Sequence, residues 1–215
     1  MTPILYFSRN PNPRLAVATA RHLAAPVRCE FAAPLAPGQA DKFRPLNPSL
    51  RLPILVEVDG RSLWEADAIA CRLSQMTGSD FWRTGAELPD MIRWVSWSRD
   101  NFMHACDMVH FERGTKQRYR LGELDEALVA RGLARFHETA AILDAHLRRH
   151  DWLLASGLSY ADFRMAVFLP FNDVAALPLA DYPAVAAWHE RLQALPAWAD
   201  PFEGLDAPEL PPLLL

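Results

Sequence analysis

Along the first third of the chain, short apolar runs alternate with stretches of helical spacing. Ile4-Leu5-Tyr6-Phe7 predicts a strand, Arg14 to Leu23 a helix and Val27 to Phe31 a second strand, a βαβ unit whose strands are parallel. Pro34 to Pro45 is rich in turn residues and has room for one short irregular helix. Pro53 to Val58 and Ser62-Leu63-Trp64 then flank Asp59-Gly60-Arg61, and Asp-Gly between two β-rich runs predicts an antiparallel hairpin. A helical pattern follows Asp67. The order βαβ, connection, ββα describes a small mixed sheet with helices on its faces.

From Pro89 onward the spacing changes. Met91, Trp94, Val95, Trp97 and Phe102 recur with a helical period, as do Leu128, Leu133, Phe136, Ala140, Leu143 and Leu147. These patterns predict an α/β domain over 1–77, a linker over 78–89 and an all-helical domain over 90–215. Leu158-Ser159-Tyr160-Ala161-Asp162-Phe163 has the spacing of a capping box, with Asp162 in the usual place of Glu, and starts a helix that is apolar nearly all round. His110 to Gly122 mixes charges without helical period and predicts a loop. His104 and His110 read as surface histidines, six residues apart and so on different helix faces. Trp94 and Trp97 read as packing residues, and Arg99, Asn101 and Phe102 as weaker candidates for a binding pocket.

Composition narrows the possible functions. In 215 residues, 51% hydrophobic and 22% charged, there is enough apolar surface for one large or two small cores. A net charge of −4, without a basic cluster interleaved with aromatics, argues against nucleic acid as a partner. No apolar run is long enough to span a membrane and no signal-peptide pattern opens the chain, so a cytoplasmic location is expected. Cys29, Cys71 and Cys106 are an odd, scattered set without zinc spacing, consistent with a reducing compartment and no metal site.

Candidate chemistry centres on Ser8-Arg9-Asn10-Pro11-Asn12-Pro13-Arg14. As local structure it offers two helix starts, Asn10 capping with Pro11 at the first helical position or Asn12 with Pro13. As a site, it places amide and hydroxyl donors at a helix N-terminus, where a thiol's pKa can be lowered.

Asn47-Pro48-Ser49-Leu50-Arg51-Leu52-Pro53-Ile54-Leu55, Leu63-Trp64-Glu65-Ala66-Asp67-Ala68-Ile69 and Ser159-x-x-Asp162 occur in that order across the two predicted domains. Together they resemble the cytosolic glutathione transferases. The resemblance spans essentially the whole chain and implies a thioredoxin-like first domain followed by an all-α bundle, a cis peptide bond before Pro53, and a two-fold homodimer. It implies glutathione as co-substrate, no metal, and conjugation to a small apolar electrophile in detoxification. The Leu52 backbone beside Pro53 would hold the cysteinyl part and Arg51 the glycyl carboxylate. Glu65 and Ala66, at a helix start, would hold the γ-glutamyl end.

Aligned on Arg14, Asn10 and Pro13 stand where thioredoxin-like proteins carry Cys-Pro-x-Cys. Asn10 is therefore the first candidate to hold the thiol, with Asn12 and Ser8 next; Tyr6 reads as packing, and Arg14 as a solvated or ion-paired helix charge. Asn10 cannot form a mixed disulfide. The pattern departs from the family at Ala66, where Ser or Thr is usual, and at Leu50 and Leu52, where Gly and Val are common. Weaker glutathione binding is expected from these changes. Two alternatives stand beside the transferase: a binding or regulatory protein without turnover, and a glutathione-dependent peroxidase or disulfide reductase.

Overall fold

The computed structural model describes residues 2–213, which form two compact units. Of the described residues, the first comprises 2–82 together with Pro196–Glu209, and the second Arg83–Leu195 with 210–213.

In the first unit, β1 (Ile4–Phe7), α1 (Pro11–His22) and β2 (Arg28–Phe31) form the βαβ element, followed by the short α2 (Ala40–Phe43), the hairpin β3 (Ile54–Val56) and β4 (Ser62–Trp64), and α3 (Ala66–Thr77). Sheet order is β2-β1-β3-β4, with β1 and β2 parallel and the other neighbours antiparallel. Side chains alternate across a strand, and β1 uses both faces. Leu5 and Phe7 pack with Ala16, Val17, Leu55, Ile69 and Leu73 beneath α1 and α3, while Tyr6 packs with Ala32, Phe43 and Ile54 beneath α2. This is the mixed sheet expected from the order of elements, in the thioredoxin-like arrangement that the resemblance implies.

The remainder of the first unit comes from far along the chain. Residues 196–209, which the sequence reading assigns to the helical domain, belong here instead. Phe202 is the physical reason: its ring stacks on Phe7 at 5.5 Å and joins the Leu5 and Phe7 core cluster. Burying such a side chain contributes roughly 1.5–3 kcal/mol.

The second unit is helical. Its elements are α4 (Leu88–Asp100), α5 (Phe102–His110), α6 (Lys116–Arg118), α7 (Glu126–Leu147), α8 (Tyr160–Met165), α9 (Asn172–Ala175) and α10 (Pro183–Gln193); α11 (Pro196–Ala199) then returns to the first unit. The Asp125 carboxylate caps α7 by accepting from the Ala127 and Leu128 amides at 2.9 and 3.1 Å. Ser159 and Asp162 form the expected capping box. Asp162 does more than cap, since its buried carboxylate also accepts from the Leu153 amide and the Trp188 indole at 3.0 and 3.1 Å. Gly132 on α7 permits close contact with α5: a methyl group there would lie 2.8 Å from Val109 Cγ2.

Several local expectations are corrected. Between α5 and α6 the chain continues as a π-helical turn over Phe111–Thr115 rather than a loop. Buried Glu112 holds this segment, accepting from Lys116 Nζ at 2.8 Å and from the Asp125 amide at 2.9 Å. His110 is buried, 4% exposed, between the Phe168 and Phe171 rings, each 5.3 Å away. Phe102 is fully buried core rather than pocket lining. Arg14 is buried as well, its guanidinium donating to the Trp198 carbonyl and lying over the Trp198 ring.

Candidate functional site

Sheet register gathers the candidate segments. Tyr6 pairs with Ile54 across the antiparallel β1 and β3, and Ile54 pairs with Trp64 across β3 and β4. The residues following β1 (Ser8 to Asn10), those preceding β3 (Arg51 to Pro53) and those following β4 (Glu65 and Ala66) are therefore all at one end of the sheet. Helices α1 and α3 both begin at that end, so two sets of unpaired N–H groups and two positive dipole ends gather there. Such an end favours an anionic ligand.

Of the two helix starts legible in SRNPNPR, the structure uses the first: Asn10 precedes α1 in extended conformation and Pro11 takes the opening position. The Asn10 carbonyl accepts from the Arg14 amide at 2.9 Å, while its side chain makes no capping bond. Instead, Asn10 Nδ2 donates to Ser8 Oγ at 3.2 Å. Both side chains are half-buried. The bond leaves the hydroxyl proton of Ser8 and the second amide proton of Asn10 for another acceptor. Asn12 is exposed in the first turn of α1. Tyr6 packs edge-on against Phe43 at 5.3 Å, and burial, with Glu30 nearby, raises its phenol above the ordinary range, so it stays protonated.

The Leu52–Pro53 peptide bond is cis. Among the described residues, neither the N–H nor the C=O of Leu52 takes part in a backbone hydrogen bond. The loop that presents it is built by Asn47, to which the sequence pattern assigns no role. Asn47 is buried, and its Nδ2 donates to the Arg51 carbonyl at 2.9 Å while its Oδ1 accepts from the Ser49 amide and hydroxyl at 3.0 and 2.9 Å. The legible signal was Asn-Pro-Ser, in which an Asn oxygen can take the amide two residues on. Leu50 adopts a left-handed conformation, φ +57°. The Arg51 side chain is exposed.

Glu65 stands immediately before α3 at φ +74° and ψ 126°, a costly conformation for a residue with a side chain. Its carbonyl accepts from the Ile69 amide at 3.0 Å, and its side chain is exposed. Ala66, the first helical residue, is buried, so its contribution at the helix start is its N–H.

None of the three cysteines has the surroundings of a reactive thiol. Burial raises the pKa of Cys29, Cys71 and Cys106, most strongly at Cys106. Among the described residues, no group of three or more His, Cys, Asp or Glu gathers as a metal site, and no helix is long and apolar enough to cross a membrane.

Fold and site together define a thioredoxin-like unit with an anion-favouring sheet end, accompanied by a helical unit. Residues 126–191 match the family model described as the C-terminal domain of glutathione S-transferase. The glutathione S-transferase-like protein LUC7 of a Fusarium species is 26% identical over 157 residues, covering 70% of this chain and 69% of that protein. The disulfide-bond oxidoreductase YfcG of Escherichia coli strain K12 is 26% identical over 183 residues, covering 74% and 77%. A solved structure of glutathione S-transferase I bound with lactoylglutathione superposes with a TM-score of 0.82 at 18% identity, covering 93% of this chain and 97% of that one. Residues 126–191 thus match a glutathione S-transferase domain, and the chain as a whole has the fold of solved glutathione S-transferases.

Proposed function

We propose that the protein binds reduced glutathione at this end of the first unit, holds its sulfur as the thiolate and conjugates it to small apolar electrophiles. The observation that carries this reading is the meeting of the cis Leu52–Pro53 bond with the starts of α1 and α3, through the pairing of Tyr6 with Ile54 and of Ile54 with Trp64. An extended peptide can pair with the Leu52 backbone as an added strand would. The γ-glutamyl carboxylate then meets the N–H groups at Ala66, its ammonium meets Glu65, and the glycyl carboxylate meets Arg51. The cysteinyl sulfur is directed toward Ser8 and Asn10.

There the α1 N-terminus and the two remaining protons of the Ser8 and Asn10 side chains stabilise the thiolate. The thiol proton passes to solvent. The sulfur forms a bond to the electrophilic carbon as the leaving group departs, the protein contributing a lowered pKa and proximity. This reading carries with it a cytoplasmic two-fold homodimer acting in detoxification, without a metal.

A second reading, glutathione-dependent disulfide reduction, is favoured by the likeness to the Escherichia coli relative named as a disulfide-bond oxidoreductase. With Asn10 in place of a cysteine and the three cysteines kept protonated by burial, the attacking sulfur would have to come from glutathione.

Calorimetric titration with reduced glutathione, with the thiolate absorbance of the bound ligand followed across pH, tests both readings. Binding with a lowered thiol pKa supports them, and parallel assays with an aryl halide and a small disulfide separate transferase from reductase. Binding without a shift would point to a regulatory protein, and no binding would overturn the assignment.

A further inference from the structure

The residue between Ser8 and Asn10 points elsewhere and is tied down three times. Arg9 Nε donates to the Ala207 carbonyl at 2.9 Å, its terminal nitrogen pairs with Glu209 at 2.8 Å, and its guanidinium lies 4.8 Å from the centre of the Phe202 ring. All three partners belong to the 196–209 segment. That segment is itself fixed: Phe202 stacks on Phe7, the last residue of β1, and two further arginines, Arg14 and Arg21, donate to the Trp198 and Glu203 carbonyls. Arg14 and Arg21 are seven residues apart and share one face of α1.

We propose that residues 196–209 act as a strap that aims the thiol-holding loop, and that Arg9 is the positioning residue through which it acts; the inference rests on the proposed glutathione site. The chain bends at Arg9 and Asn10 as it leaves β1, and the contacts of each side chain show which way it points. The Ser8–Asn10 hydrogen bond shows that these two side chains meet, while Arg9 between them reaches Ala207 and Glu209 instead. Fixing Arg9 to the strap sets the rotation of the loop about its axis, and with it the direction of the Ser8 hydroxyl and the Asn10 amide. Without the anchor the loop keeps its residues and loses its aim. Arg9 is predicted to govern the state of the bound sulfur without contacting glutathione.

The test measures glutathione affinity and the pKa of the bound thiol in Arg9→Ala, Arg9→Lys and Asn10→Ala, using full-length protein. Arg9→Ala should leave affinity within about twofold and lower the thiolate-dependent rate at acidic pH roughly three- to tenfold, the scale of one misaligned neutral hydrogen bond. Arg9→Lys, which keeps the charge over Phe202 and beside Glu209 but loses the Nε donor, should fall between Ala and wild type. Should Arg9→Ala fail to fold, the Lys variant carries the test by its pH profile. An unchanged bound-thiol pKa in the Arg9 variants, with a raised one in Asn10→Ala, overturns the strap while leaving the site intact. Reduced affinity with an unchanged pKa would make Arg9 a ligand contact and likewise overturn it. If Asn10→Ala and the Arg9 variants all leave the pKa alone, the thiolate site itself is wrong, and the strap's role falls with it.

Discussion

Buried Asn47 donates its side-chain amide to the carbonyl of Arg51, and this bond, with those its oxygen accepts from Ser49, holds the loop that leads into Leu52. Replacing Asn47 with Ala should cost roughly 1–3 kcal/mol, because three partly buried hydrogen bonds are lost together. Glutathione affinity should fall in parallel, as measured by calorimetry. Asn47→Asp separates the two roles: it keeps the acceptor for Ser49 but loses the donor to Arg51, so affinity should suffer more than stability.

Glu65 is held at φ +74°. Glycine tolerates that conformation, so Glu65→Gly should raise stability by about 1 kcal/mol in chemical denaturation. If the side chain meets the glutathione ammonium, the same variant binds more weakly. Loss of stability together with loss of binding would show that Glu65 supports the fold rather than the ligand.

His110 governs part of the acid sensitivity. Burial, reinforced by Arg118 and opposed by Asp173, lowers its pKa to about 4 from the ordinary 6.5. Between those values the unfolded chain takes a proton that the folded chain refuses. Stability is therefore lost as pH falls through about 6.5 toward 4, by roughly 3 kcal/mol in total. Asp162 acts in the opposite sense, since burial raises its carboxyl to about 6 and the folded chain protonates first. The test is thus the difference between wild type and His110→Leu: the variant should lose less stability on acidification.

Gly132→Ala addresses the helical unit. The new methyl group would meet Val109 Cγ2 at 2.8 Å and Met108 Cβ at 3.0 Å, and the latter atom is fixed to the backbone. Overpacking should cost about 1–3 kcal/mol by thermal unfolding, with glutathione affinity unchanged.

Sequence patterning revealed the fold wherever one local signal decided an element. Ile4–Phe7 is β1 as read, Asp59-Gly60 closes the predicted hairpin, and Ser159 with Asp162 starts its helix. His110 and the π-helical turn after it were not legible. Polar residues there satisfy one another inside the unit, as Glu112 does with Lys116 and Asp125, and a charged stretch that folds inward resembles a solvated one until its partners are known. At the candidate site the sequence marked the ends of the elements, but not the supports. Asn-Pro-Ser announced the turn at Asn47 but not its bond to Arg51, and Arg9 needed a partner at Ala207, far along the chain, that no local period could announce.

The return of residues 196–209 to the first unit bears on how the protein is made. A ribosome releases the chain in order, and domains commonly fold as they emerge. Here β1, α1 and the hairpin are exposed to solvent long before Phe202 arrives to cover Phe7, with all of Arg83–Leu195 synthesised in between. The nascent first unit must therefore wait with part of its core open. A fragment ending at Trp82 would keep it so, and co-expression with a peptide spanning 196–209 is the rational way to obtain that unit in isolation.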